Sequence, residues 1–215
     1  MAVATEARFR TQYLGLVEYE IALAQQRALH EQVLAGNEAS TLLLLEHPSV
    51  YTAGRRTAPE ERPLSGVPVV DVDRGGKITW HGPGQLVGYP IVKLKEPTKV
   101  VDFVRCLERA LIAALSRFSV DSCQICENSG VWIKDARGSR KIASIGIRVA
   151  KGVVTHGFAL NVNPDLTYFE EIIPCGIPDV VTTSMSIELG REISINEVLP
   201  VVERELAKEF ERVLA

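Results

Sequence analysis

Arg74-Gly-Gly-Lys-Ile-Thr-Trp-His-Gly-Pro-Gly-Gln-Leu-Val-Gly-Tyr-Pro90 holds five glycines and two prolines, yet apolar residues run through it and on to Val92. A linker of that glycine density is normally polar and flexible. Here the glycines sit among Ile78, Trp80, Leu86, Val87 and Ile91, and the stretch reads as strand, sharp turn, strand. Glycine reaches backbone conformations closed to other residues and lets a ligand approach the main chain. Gly75-Gly76 and Gly82-Pro83-Gly84 are therefore two places where backbone is expected to line a pocket, with Arg74 and His81 bracketing the first strand. Composition alone leaves a bare glycine-rich hairpin equally open.

Working outward, Val69 to Val72 forms a short strand leading into this stretch, and residues 57–68 are a polar, proline-rich surface loop. Upstream, Thr41 to Glu46 is a buried strand by its apolar run, His47-Pro48 ends it, and Val50 to Gly54 opens a loop carrying Arg55 and Arg56. Leu16 to Ala35 reads as a helix with Val17, Ile21, Ala24 and Ala28 on one face and Gly36 as its stop. Downstream, Val100 to Phe118 carries a helical stripe of Val101, Val104, Leu107, Leu111, Leu115 and Phe118. Val120 to Val162 is strand-rich, with turns at Arg137-Gly138 and Lys151-Gly152. Parity places Lys141 with the apolar set Ala143, Ile145, Ile147 and Val149, where a lysine ordinarily snorkels from a strand end. Residues 163–182 are irregular, and Cys175 stands between Pro174 and Gly176, a poor place for core packing. Ser194 and Glu197 form a capping box for a last helix striped by Leu199, Val202, Leu206, Phe210 and Val213.

The chain has 215 residues, 46% of them hydrophobic, enough for a substantial core in a single domain spanning 1–215. A net charge of −3 argues against general binding to nucleic acid or to a membrane surface. The first residues lack the apolar segment of a signal peptide, and the run Leu42 to Leu45 is far too short to span a bilayer, so a cytoplasmic location is expected. The four cysteines suit free thiols in a reducing compartment. Cys123 and Cys126 make only half a zinc site and are read as strand packing, so no metal is expected; Cys106 belongs to a helix core.

Five segments resemble, in order, the motifs of the octanoyl-acyl-carrier-protein:protein N-octanoyltransferases, the lipoate-protein ligase B family. They are Glu46-His-Pro-Ser-Val-Tyr-Thr-Ala-Gly54, Arg74 to Gln85, Arg140-Lys-Ile-Ala-Ser-Ile-Gly146, Thr155-His-Gly-Phe-Ala-Leu-Asn161 and Pro174-Cys-Gly176. The resemblance implies an α/β (α+β) fold shared with biotin protein ligases and ATP-dependent lipoate ligases: a mixed sheet flanked by helices, plus a smaller second sheet. Trp80 replaces a usual tyrosine and Ser144 a common alanine, which puts acyl-chain preference in question if both line the pocket.

The same resemblance implies a catalytic pair, Lys141 and Cys175. Cysteine forms a thioester readily, and a cationic lysine nearby favours the thiolate. Neutral Lys141 would deprotonate the incoming substrate amine, which calls for burial. Substrate contacts carry over to Arg74, Gly75, Gly76, Lys77, Ile78, Thr79, Trp80 and His81, to Ser144, Ile145 and Gly146, and to Gly157, Phe158 and Ala159. His81 either orients the site, assists proton transfer or merely bonds a carbonyl. His156 is read as structural, His30 and His47 as surface or turn residues, and Asn161 as a partner for loop backbone. No cofactor is implied beyond the octanoyl-acyl carrier protein donor. The implied partners are acyl carrier protein and the lipoyl domains of 2-oxoacid dehydrogenase complexes and the glycine cleavage H protein. Arg55, Arg56, Arg74 and Lys77 would offer the acidic carrier a basic patch. Three other readings are an ATP-dependent ligase on the same fold, a non-catalytic acyl-binding module, and a cysteine hydrolase.

Overall fold

Leu42 to Leu45 are all buried in β2 (Ser40–Glu46), and their alternation explains an unbroken apolar run: Leu42 and Leu44 face one core, Leu43 and Leu45 another. A strand covered on both faces has no polar side to show. Each such leucine contributes about 1.5–3 kcal/mol by leaving water. The computed structural model describes residues 9–64, 66–172 and 181–214.

The central sheet has the order β1-β2-β6-β10-β9-β8-β7, where β1 is Phe9–Leu16, β6 Gln85–Ile91, β7 Cys123–Ile125, β8 Asn128–Asp135, β9 Gly138–Ala150 and β10 Val153–Asn161. All its pairings along this path are antiparallel except β1 with β2. Helix α1 (Tyr19–Ala35) covers one face, packing on β6 and β10. Helices α2 (Val100–Ser116) and α4 (Ile195–Phe210) cover the other and pack on each other. A short helix α3 (Met185–Leu189) precedes α4. The expected α1 exists, and Gly36 closes it in the left-handed conformation (φ 77°). Its buried face is not the expected one: Tyr19, Ala22, Leu23, Gln26 and Val33 are buried, whereas Ile21 is 56% exposed and Ala24 and Ala28 are exposed. In α2, Val101 also faces solvent, while Phe103, Cys106 and Ala110 join Leu107, Leu111 and Leu115 inside.

The smaller sheet is β4-β3-β5, with β3 Val50–Ala53 at its centre, β4 Val69–Asp71 and β5 Thr79–His81. Val50 to Gly54 therefore does not open a loop; its first four residues are a fully buried strand. The opening stretch is not a hairpin either. β5 belongs to the smaller sheet and β6 to the central one, so the turn at Gly82-Pro83-Gly84 carries the chain from one sheet to the other. Gly84 sits at φ 81° and its N–H is accepted by the Glu46 carboxylate at 2.8 Å. That turn does not line the main cavity: a side chain on Gly82 would collide with the indole of Trp80, and one on Gly84 with Asn163.

Candidate active site

β5 has the period of a strand, and this divides the glycine-rich segment in two. Thr79 and His81 face a cavity of about 290 Å³. Ile78 and Trp80 face away, into a cluster with Tyr51, Phe169 and Ile172. Trp80 donates its indole N–H to Ser49 Oγ at 2.8 Å and stacks on Tyr168 at 4.8 Å. Of the expected substrate contacts, Arg74, Gly75, Gly76, Lys77, Thr79, His81, Ser144, Ile145, Gly146, Gly157, Phe158 and Ala159 do line the cavity, together with Lys141. Ile78 and Trp80 do not, so of the two family departures only Ser144 bears on the cavity wall. Tyr19, Tyr89, Glu127, Asn128, Ser129 and His156 also line it.

Arg74 builds the wall that its own loop forms. Its guanidinium is buried and donates to Thr52 O at 2.7 Å, Thr52 Oγ1 at 2.8 Å, Lys77 O at 2.8 Å and Gly75 O at 3.1 Å. Arginine's fixed fork of donors suits this stapling of carbonyls. The loop then lies against β9, where Gly75 N–H donates to Ile147 O at 3.2 Å. A side chain on Gly146 would stand 3.1 Å from Arg74 Cδ and 3.2 Å from Gly75 O, so a larger residue there would press on the loop. Asp73 anchors the same loop through Arg148 at 2.6 Å and His156 Nε2 at 2.7 Å. His156 thus holds Asp73 while also lining the cavity. Its φ of 59° is strained for a residue within a strand, and its backbone N–H turns to Gln26 Oε1 at 2.8 Å. The register places it opposite Pro90, which has no N–H to pair.

The expected basic patch is reduced. Arg74 is buried and Lys77 pairs with Glu61, leaving Arg55 and Arg56 exposed, with Arg56 on the cavity rim.

A directed chain of hydrogen bonds runs behind the cavity. Asn161 Nδ2 donates to the backbone carbonyl of Thr183 at 3.0 Å, and a carbonyl can only accept. Asn161 Oδ1 therefore accepts from Gln85 Nε2 at 2.8 Å, and Gln85 Oε1 accepts from His81 Nδ1 at 2.7 Å. His81 Nε2 is left to accept from the Thr52 hydroxyl at 3.4 Å, which accepts in turn from Arg74. This fixes one neutral tautomer. Burial, then the neighbouring His47, push the His81 pKa down to about 3. His81 therefore has both ring nitrogens engaged, and burial favours its neutral form. Asn161 serves loop backbone, as expected. His47 is not a surface residue but fully buried, bonding Val17 O at 2.6 Å and Tyr89 Oη at 2.8 Å, with its pKa lowered to about 4 by burial. His30 is half-buried near Ala150 O.

Lys141 is 3% exposed, and its Nζ lies 5.1 Å from the ring centre of Trp132. Parity assigned it to the apolar face, and the structure reverses this. Val131 pairs with Ala143 but Trp132 pairs with Lys141, so β9 carries one extra residue there. Past this bulge Ile142 joins Ala143, Ile145 and Ile147 in the core, and Lys141 lines the cavity with Ser144 and Gly146. Cys175 lies outside the described residues. Further along the sequence, β11 (Val181–Thr182) pairs with Arg140 and Lys141, and Thr183 N–H donates to Lys141 O at 2.9 Å. Of the other thiols, Cys106 is in the core with its pKa pushed up to about 12 by burial. Cys123 is half-buried and Cys126 exposed, so this pair is not core packing. No cluster of metal-ligating side chains occurs among the described residues. No helix among them is long and apolar enough to cross a membrane.

Residues 18–207 match the family model of the lipoyl protein ligase A/B catalytic domain. The octanoyltransferase of Salinispora arenicola is 56% identical over 194 residues, covering 89% of this chain and 91% of that protein. The octanoyltransferase of Rhodococcus opacus is 53% identical over 214 residues, covering 94% and 83%. Among solved structures, a bipartite lipoate protein ligase from Thermoplasma acidophilum superposes with a TM-score of 0.71 at 17% identity, over 96% of this chain and 84% of that one. A lipoate-protein ligase A bound with ATP gives 0.70 at 15% identity, over 96% and 86%. At those identities the structures show a shared fold: a mixed main sheet, a smaller second sheet and flanking helices. With that fold, that family model and relatives above half identity along most of its length, the chain belongs to the octanoyltransferases of the lipoyl protein ligase A/B catalytic family.

Proposed function

We propose that this protein transfers an octanoyl group from the thioester of acyl carrier protein to the amino group of a lysine on lipoyl domains, those of 2-oxoacid dehydrogenases and of the glycine cleavage H protein. Cys175 is the nucleophile and Lys141 the base. The observation that carries the reading is the buried amine of Lys141, turned by the bulge into the cavity beneath the Arg74–His81 loop and bonded through its carbonyl to the strand that follows Cys175.

In the first half-reaction the Cys175 sulfur attacks the acyl carbonyl, the carrier's sulfur leaves, and the thiol proton passes by way of Lys141 to the departing thiolate. In the second, the substrate amine attacks the acyl-cysteine, Lys141 takes the amine's proton, and the Cys175 thiolate leaves. Thr79 Oγ1 is buried on the cavity wall without a hydrogen-bond partner among the described residues, so it is open to a substrate oxygen. Exposed Arg56 at the rim, with exposed Arg55 next to it in sequence, suits an acidic carrier. The reaction uses no ATP and no metal.

The test is to incubate the protein with octanoyl-carrier protein, quench with acid, and weigh each cysteine peptide. An octanoyl adduct on Cys175 without ATP is expected. Attachment of free acid that stops when ATP is withheld would move the protein to the ligase reading, which the ATP-bound structural neighbour keeps in view.

A further inference from the structure

The bulge explains which way Lys141 faces, but not how its side chain passes the neighbouring strand. It passes at Gly130 of β8. A Cβ built on Gly130 would stand 2.7 Å from Lys141 Cε and 3.4 Å from Nζ, and would also collide with the carbonyl oxygen of Ala143. The lysine side chain therefore occupies the volume that any other residue at 130 would fill. Gly130 itself has φ 121°, a conformation L side chains rarely adopt. Its position is fixed from behind: its N–H donates to Glu108 Oε1 at 2.9 Å, and Glu108, fully buried in α2, pairs with Arg105 at 2.6 Å. The indole of Trp132, two residues on, gives the lysine a second wall.

We propose that Gly130 is a positioning residue for Lys141, its missing side chain forming the slot that lays the lysine's Cε and Nζ into the cavity. The proposal rests on the reading of Lys141 as the base. A methyl group in the slot must push Lys141 Cε aside and carry the amine with it, and a base moved by about 1 Å loses hydrogen-bond reach and about 100-fold in rate.

The experiment is a double-mutant cycle of Gly130→Ala and Lys141→Ala, followed by melting temperature, by octanoyl transfer and by the pH dependence of transfer. Gly130→Ala is expected to slow transfer about 100-fold and to shift the pH profile, with the KM for octanoyl-carrier protein little changed. Its loss of melting temperature should be larger with Lys141 present than in the Lys141→Ala background. There the backbone strain and the Ala143 collision remain, but the lysine no longer competes for the space. Gly130→Ala folding only when Lys141 is absent would be the strongest support. Equal melting losses in both backgrounds, failure to fold in both, or normal transfer by Gly130→Ala would overturn the proposal. Lys141→Ala with full transfer would instead remove the base reading and leave the slot to be judged on melting temperature alone.

Discussion

Behind the central sheet, where α2 and α4 cover it, buried side chains such as Leu107, Leu111, Ile142, Val202 and Phe210 are apolar. In front, where the smaller sheet meets β9 and β10, the buried groups include Arg74, His81, Gln85, Lys141, Asn161 and Thr183. Apart from the paired carboxylates of Glu108 and Glu205, the first region needs mainly volume and shape, and tolerates neighbours that re-pack. The second needs each donor matched to one acceptor, because an orphaned buried polar group costs about 1–3 kcal/mol. Stability is spread over the back; geometry for chemistry is concentrated in the front.

The largest expected effect separates the two regions by function. Cys175→Ala should abolish both the acyl adduct and transfer, a loss of at least about 1,000-fold. Cys106→Ala, on the apolar side, should leave transfer per folded molecule intact, as should Cys123→Ala and Cys126→Ala. Adduct formation by the Cys175→Ala protein would mean that the nucleophile lies elsewhere.

Next comes the apolar side. Leu44→Ala deletes a fully buried side chain facing α2 and α4 and should cost about 2–5 kcal/mol in urea unfolding, with transfer per folded molecule unchanged. If transfer falls in proportion to stability, the two regions are not separable.

The polar side should also be the acid-sensitive one. His47 and His81 have folded pKa values near 4 and 3, below the ordinary 6.5. Above pH 6.5 both are neutral in either state, and their fit into the fold costs nothing extra. As pH falls from 6.5, the unfolded chain takes up protons that the folded chain refuses. Stability should therefore drop between pH 7 and pH 5 by about 2 kcal/mol per histidine. Urea midpoints at the two pH values measure this. A flat profile would mean that water reaches these rings.

The smallest effect sharpens the contrast. Asn161→Leu keeps the volume but strands Gln85 Nε2 and the Thr183 carbonyl, and should cost about 1–2 kcal/mol. Because Thr183 also binds Lys141 O, transfer should fall about 10-fold although Asn161 lies outside the cavity lining. Transfer equal to that of the parent protein would reduce the hydrogen-bond chain to scaffolding.

What could be read in the residues follows the same division. Apolar runs place Leu42–Leu45, α2 and the hairpin strands correctly, because burial on a regular element repeats at a fixed period. The failures come where polar and apolar groups mix. Gln26 sits in the middle of the buried face of α1, so an apolar stripe drawn through Ile21 and Ala24 points outward. Lys141 was misplaced because parity fails across a bulge, and a bulge leaves no mark in a run of β-formers. β5 and β6 resemble a hairpin because a turn between sheets uses the same glycines as a turn within one. Ile78 and Trp80 were separable from Thr79 and His81 by simple alternation. Tyr19 and Tyr89 carried no local signal, since an aromatic at a helix start or within a strand reads as core. Cys175 is singled out only by its proline–glycine setting and the family pattern, and it lies outside the described residues.

The hydrogen-bond chain from Arg74 through Thr52, His81, Gln85 and Asn161 to the Thr183 carbonyl runs one way. Every member donates in the same direction, and two of the links are amides, whose oxygen and nitrogen cannot trade places without turning the whole group. A proton wire must be able to reverse its polarity after each passage. This one is locked at one end by a guanidinium and at the other by a backbone carbonyl. It acts as an electrical insulator laid along the back of the cavity. A proton in the cavity has no exit along that chain, whereas the buried amine of Lys141 lines the same cavity.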